Sequence, residues 1–158
     1  MAYYRRYLPY FRKVKQIVEQ GGIGNVLNVQ VRFSVPPRDL DYTSGKEMPW
    51  RLQPDISGGG YFYDLAPHQI DLLQDIFGVI TRAHGYPANR AHLYEAEDTI
   101  SACFYFESGI PGSGSWCFVG HESAKEDRIE IVGDKGSLSF SVFDYDPILL
   151  VTSAGKTS

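Results

Sequence analysis

The sequence predicts an α+β domain: an open-faced, mainly antiparallel sheet of about six or seven strands with helices packed on one face. Three observations lead there. Two segments repeat apolar residues at the helical period, most of the remainder alternates at period two, and the later strand-like runs are joined by connections too short for parallel crossovers.

In chain order, Phe11, Val14, Ile17 and Val18 recur at helical spacing, with Pro9 in the first turn and Gly21-Gly22 stopping the pattern. Ahead of this helix, Tyr3, Tyr4 and Tyr7 flank Arg5 and Arg6, a combination suited to gripping a polyhydroxylated or anionic ligand. Arg6 is therefore a candidate substrate contact, the alternative being an aromatic-packed, solvated helix start. From Val26 the period becomes two, and Val29, Val31, Phe33 and Val35 mark the buried face of a strand that Pro36-Pro37 end. A connection of about twenty residues follows, long enough to suggest function. It carries Trp50, a stacking surface, and Arg51, a planar cation, both candidates to line a substrate cleft.

The stretch Gly58–Gly78 predicts the second helix. Asp64, His68, Asp71 and Asp75 fall on one arc, whereas Leu65, Leu72, Leu73, Ile76 and Phe77 fall on the opposite side. Pro67 lacks the amide that a helix interior needs, which predicts a start near Tyr63 or Asp64 with Asp64 as N-cap. Gly58, Gly59 and Gly60 permit another body to approach the backbone there. The competing interpretation is a capped helix, a solvated histidine and an ordinary loop.

After this helix, Ile80–Tyr86 reads as a strand, as do the alternating runs around Ile100–Phe106, Trp116–Phe118, Ile129–Ile131 and Leu138–Val142, with Gly109–Gly112 and Gly133-Asp134-Lys135-Gly136 as turns. The result is a meander. Ser101, Cys103, Tyr105, Ser115, Cys117 and Val119 would form its uncovered face, small and seldom charged. That predicts a homodimer through this face, with plain solvation as the alternative.

Composition limits the setting. With 158 residues, 43% hydrophobic and 22% charged, the chain reads as a single domain over 1–158. The net charge of −4 and the absence of a basic run argue against nucleic acid or a membrane surface as partner. Arg5, Arg6, Arg12, Lys13 and Lys15 stand where a signal or membrane span needs apolar residues, so a cytoplasmic location is expected. Cys103 and Cys117 are too few and too separated for a disulfide framework or a zinc site.

Taken together, Gly24-Asn25-Val26, Trp50-Arg51, Gly58-Gly59-Gly60 with Asp64, His68 and Asp71, and Gly133-Asp134-Lys135-Gly136-Ser137-Leu138 resemble the C-terminal domain of the Gfo/Idh/MocA family of NAD(P)-dependent oxidoreductases. The resemblance spans nearly the whole chain. It implies a substrate-binding and dimerisation domain acting on a sugar, cyclitol or similar polyol, with NAD or NADP held by a preceding Rossmann domain. It also implies that His68 is the acid/base or hydroxyl partner of hydride transfer and that Asp64 positions it, with Trp50, Arg51, Arg6 and Asp71 as substrate contacts. Side chains at i and i+4 can converge on one hydroxyl, in agreement.

The family's Glu-Lys-Pro segment is expected before residue 1, and Pro67 replaces a residue that the family keeps small. Met1 abutting a helix start, and a C-terminus soon after the Ile148–Val151 run, lead us to expect truncation at both ends. Neither Gly22-Ile23-Gly24 nor Gly112-Ser113-Gly114 forms a dinucleotide fingerprint, so no cofactor is expected on this chain alone. Asp64, His68 and Asp71 as metal ligands would lack the second histidine that catalytic zinc favours, so no metal is expected. A non-catalytic ligand-binding or dimerisation module is the main alternative.

Overall fold

The computed structural model describes residues 3–38 and 48–157. Its strands are β1 (Val26–Ser34), β2 (Ile80–Ala88), β3 (Thr99–Phe106), β4 (Pro111–Cys117), β5 (Glu126–Gly133), β6 (Gly136–Phe140), β7 (Leu149–Thr152) and β8 (Gly155–Thr157). The helices are α1 (Pro9–Glu19), the single-turn α2 (Pro54–Ser57) and α3 (Tyr61–Phe77). All eight strands join one sheet in the order β2-β3-β4-β1-β5-β6-β7-β8. The open-faced, mainly antiparallel sheet is as expected, and β7 and β8 extend it as a hairpin beyond the predicted count.

The simple meander needs correction. β1 inserts between β4 and β5, parallel to β4, while the other strand pairs are antiparallel. The burial pattern supplies the reason. Val29, Val31 and Phe33 are buried, and a strand this apolar on one face gains most in the middle of the sheet. Its neighbours there are Gly112 and Gly114 on one side and Ile129 and Ile131 on the other. Gly112 therefore belongs to a strand and not to the predicted turn. A Cβ on Gly112 would lie 2.1 Å from the Phe104 ring, and one on Gly114 would lie 2.0 Å from the Trp116 ring. Both positions are kept bare so that aromatic rings can lie over the backbone.

Two helices cover this buried face. Phe11 of α1 meets Phe140 of β6, while α3 sets Phe62 edge-on to Trp116 and Phe77 against Phe106. Gln69 is fully buried in α3, and its side-chain oxygen accepts a hydrogen bond from Trp116 Nε1 at 2.6 Å, satisfying the one polar atom of that ring. α1 begins at Pro9 as predicted and ends in a Schellman motif, in which the amides of Gly21 and Gly22 bond the carbonyls of Val18 and Ile17 and Gly21 takes φ 71°.

α3 begins earlier than the sequence indicates. Gly60 is its N-cap and Tyr61 its first residue, so Asp64 lies inside the first turn and does not cap, and Pro67 is interior. Pro67 removes the amide that would bond the Tyr63 carbonyl, a local loss that the helix absorbs because its apolar side is buried along its length. The glycines ahead of it serve the chain's own packing. A Cβ on Gly59 would strike the Tyr63 ring at 2.3 Å, and the Gly60 amide donates to the Glu97 carboxylate at 3.0 Å.

The opposite sheet face exposes Ser101, Cys103, Tyr105 and Ser115 as expected, whereas Cys117 is only partly exposed and Val119, beyond the end of β4, packs against the core. Toward β5 it is more charged than predicted, with Arg32 paired to Glu126 at 3.4 Å and Arg128 to Glu130 at 3.1 Å. The motifs around Gly24 and Gly133 meet at one end of the sheet, where Asp134 accepts from both the amide and the side chain of Asn25. Those bonds stabilise the ionised Asp134 carboxylate and hold its pKa below the ordinary value.

Candidate functional site

The N-terminal half of α3 turns Asp64 and His68 toward the segment that precedes α1 and toward the loop after β6. His68 is half-buried between two rings, with Tyr3 and Phe143 each edge-on at centroid distances of 6.2 Å. Its Nδ1 is buried and has no hydrogen-bond partner among the described residues, so the protein does not pin the ring's tautomer. Burial, and secondarily the positive charge of Arg5, lower the His68 pKa, while Asp64 opposes both. Burial and the Arg5 charge thus favour the neutral ring, the form that can accept a proton.

Arg5 is the cation whose charge acts on His68. One of its terminal nitrogens donates to the Val142 carbonyl and to the Tyr145 hydroxyl, both at 2.8 Å, and its guanidinium lies 4.9 Å over the Phe143 ring. One turn before His68 on α3, Asp64 forms an ion pair with Arg51 at 3.6 Å, too long for a hydrogen bond, and Arg51 lies 5.6 Å from the exposed Trp50 ring. Trp50–Leu52 is a short 3₁₀ turn, so part of the predicted long connection is ordered; positions 39–47 lie outside the described residues. The structure therefore brings Trp50, Arg51, Asp64 and His68 into one neighbourhood.

Arg6 and Asp71 are engaged with each other. Arg6 Nε donates to Asp71 Oδ2 at 3.0 Å and a terminal nitrogen donates to Oδ1, a bidentate fork on a carboxylate that is 7% exposed. Asp75 continues the cluster, 3.8 Å from Arg6 and bonded by Lys15 at 3.0 Å. This cluster ties the N-terminal segment and α1 to α3. A groove of about 880 Å³ runs alongside, lined by Arg6, Arg12, Lys15, Gln16, Glu19 and Asp75, and does not include His68 or Asp64.

Sequence reasoning missed the loop after β6. Phe143 and the Val142 carbonyl lie 75 and 74 residues beyond His68 along the chain, with no local motif to announce them. A smaller cavity of about 180 Å³ shares Phe143 and is lined by Leu65, Phe33, Val35, Arg38 and Asp127. Neither glycine pair singled out in the sequence forms a dinucleotide fingerprint. Gly22 and Gly24 lead from a helix into a strand, and Gly112 and Gly114 lie beneath rings, whereas that fingerprint needs a strand-to-helix turn with free amides.

The opposing charges around His68 yield a prediction for this chain. By NMR, His68 should titrate below the ordinary histidine value of 6.5, Arg5→Ala should raise its midpoint, and Asp64→Asn should lower it. Because the unfolded chain takes up the proton first as pH falls, this group's contribution to stability is complete above the unfolded value and is lost as pH falls from there through the lower folded-state value. A His68 midpoint at or above the ordinary value would contradict the geometry.

The sequence model of the GFO/IDH/MocA C-terminal domain matches residues 11–139. Among curated relatives, Oxidoreductase P35 of Formosa agariphila is 36% identical over 145 residues, covering 90% of this chain and 43% of the relative. Among solved structures, the WlbA dehydrogenase of Bordetella pertussis, in complex with NADH and UDP-GlcNAcA, superposes with TM-score 0.76 at 27% identity, covering 93% of this chain and 42% of that one. Levoglucosan dehydrogenase, in complex with NADH and levoglucosan, shares the fold with TM-score 0.82 at 21% identity, covering 99% of this chain and 45% of that one. The chain thus spans less than half the length of these relatives. No helix among its described residues is long and apolar enough to cross a membrane. With the family model matched over most of the chain and the fold shared along its length, this chain belongs to the GFO/IDH/MocA family as its C-terminal domain.

Proposed function

We propose that this domain supplies the substrate-facing half of an NAD(P)-dependent oxidoreductase acting on a sugar, cyclitol or similar polyol. The observation that carries the reading is His68 itself: its buried Nδ1 has no hydrogen-bond partner among the described residues, and the ring lies one helical turn from Asp64 and beside Arg5. In the oxidative direction, His68 accepts the substrate hydroxyl proton as that carbon–oxygen bond becomes a carbonyl. Asp64 offsets the positive charge that develops on the ring, and its partner Arg51 and the exposed Trp50 face present a polar and a stacking contact to a polyol. The Arg6–Asp71 fork is assigned to holding the N-terminal segment against that substrate. The nicotinamide, bound by a nucleotide domain outside this chain, supplies the hydride acceptor in the intact protein. Relatives more than twice as long, and family structures in complex with NADH, support this division of labour.

In the intact oxidoreductase, His68→Ala should lower kcat by roughly 10²- to 10⁴-fold, with cofactor affinity nearly unchanged. Steady-state kinetics check this. An unchanged kcat accompanied by a raised KM would give His68 a binding role only, and no change in either would remove it from the site.

We also propose that the uncovered sheet face is a homodimer interface, since Ser101, Cys103, Tyr105 and Ser115 leave it low in charge across β3 and β4. Light scattering should report a dimer for the parent chain and a monomer after Tyr105→Glu with Cys117→Asp. A parent chain that stays monomeric at high concentration would contradict the proposal.

A further inference from the structure

We propose that Asp127 is a positioning residue for the His68 site, acting through the loop after β6 and through Arg5. Asp127 occupies the inward face of β5 opposite Phe33, at the end of a row that continues with the buried Ile129 and Ile131. A carboxylate in an apolar row is costly to bury unless its oxygens are engaged. Here Oδ2 accepts three successive backbone amides, from Val142, Phe143 and Asp144, at 2.8, 2.5 and 3.2 Å. Three amides converging on one oxygen fix the backbone of that tripeptide, as in an anion nest. Oδ1 is buried without a partner among the described residues, and burial, with the Asp144 charge nearby, raises the Asp127 pKa despite the three amides. The carboxylate is thus held under desolvation strain that a neutral core residue would avoid.

The fixed tripeptide is the one that meets the site. The Val142 carbonyl accepts from Arg5, the Phe143 ring lies beneath the Arg5 guanidinium and edge-on to His68, and Tyr145 receives the second Arg5 bond. Tyr145 takes φ 55°, a backbone conformation that non-glycine residues hold only when their surroundings enforce it. The enforcement is visible on both sides: Asp127 holds 142–144, the Asp146 amide donates to Ser141 Oγ at 2.6 Å, and Tyr10 Oη donates to the Asp146 carbonyl at 2.5 Å. Releasing Asp127 should therefore let Arg5 leave His68.

This inference deepens the reading of the Asp64–His68 site, but its test reads the His68 ring and not turnover, so the two can fail separately. In the chain as it stands, Asp127→Ala should raise the His68 NMR midpoint in the same direction as Arg5→Ala, and Asp127→Asn should do so to a smaller extent. The Arg5→Ala/Asp127→Ala double variant should titrate as Arg5→Ala does alone, because both changes remove the same influence. The His84 resonances, on β2 at the far edge of the sheet, should not move. An unmoved His68 midpoint in folded Asp127→Ala, or additive shifts in the double variant, would overturn the proposal. Loss of the fold in Asp127→Asn would overturn it as well, since a carboxylate on which the sheet itself depends is not a loop anchor.

Discussion

The fork between Arg6 and Asp71 is the contact on which the site's geometry depends. Asp71 is nearly buried on α3, and an ionised carboxylate there is tolerable only with a bidentate cation against it. Arg6 provides that cation from the short 3₁₀ turn of residues 5–7, which has no buried residue of its own to hold it down. Once Arg6 is fixed, its neighbour Arg5 points into the loop after β6 and Tyr3 reaches His68. The chemistry of the first segment is therefore placed by an ion pair, and the adjoining Lys15–Asp75 pair aligns α1 with α3 behind it.

Two kinds of information account for how much was legible beforehand. Period-two runs such as Val29, Val31 and Phe33 revealed their buried face directly, because burial imposes that alternation on any strand covered on one side. The order of the strands was not legible in the same way. Placing β1 between β4 and β5 depends on pairings such as Val29 with Gly112 and Val29 with Ile131, relations between residues far apart in the chain that no local pattern encodes. Pro67 misled in the opposite direction: its lost amide argued for a later helix start, and the buried side of α3 outweighed that local penalty.

The site divides along the same line. Asp64 and His68 share a helix face, so their proximity could be read from spacing alone. Arg5, Phe143 and the Val142 carbonyl come together only through the fold, although Asp127 left a trace, since an aspartate in register with Ile129 and Ile131 breaks the apolar alternation. That break marks where the sheet core gives way to backbone recognition of a loop, and with it to the surroundings of His68.

The most direct measurement is a crystal structure of the intact oxidoreductase with reduced nicotinamide and a bound polyol. The account predicts a substrate hydroxyl within hydrogen-bonding distance of the His68 ring, attached to the carbon that faces the nicotinamide. A polyol bound with His68 and Asp64 turned away from the carbon that faces the nicotinamide would contradict it.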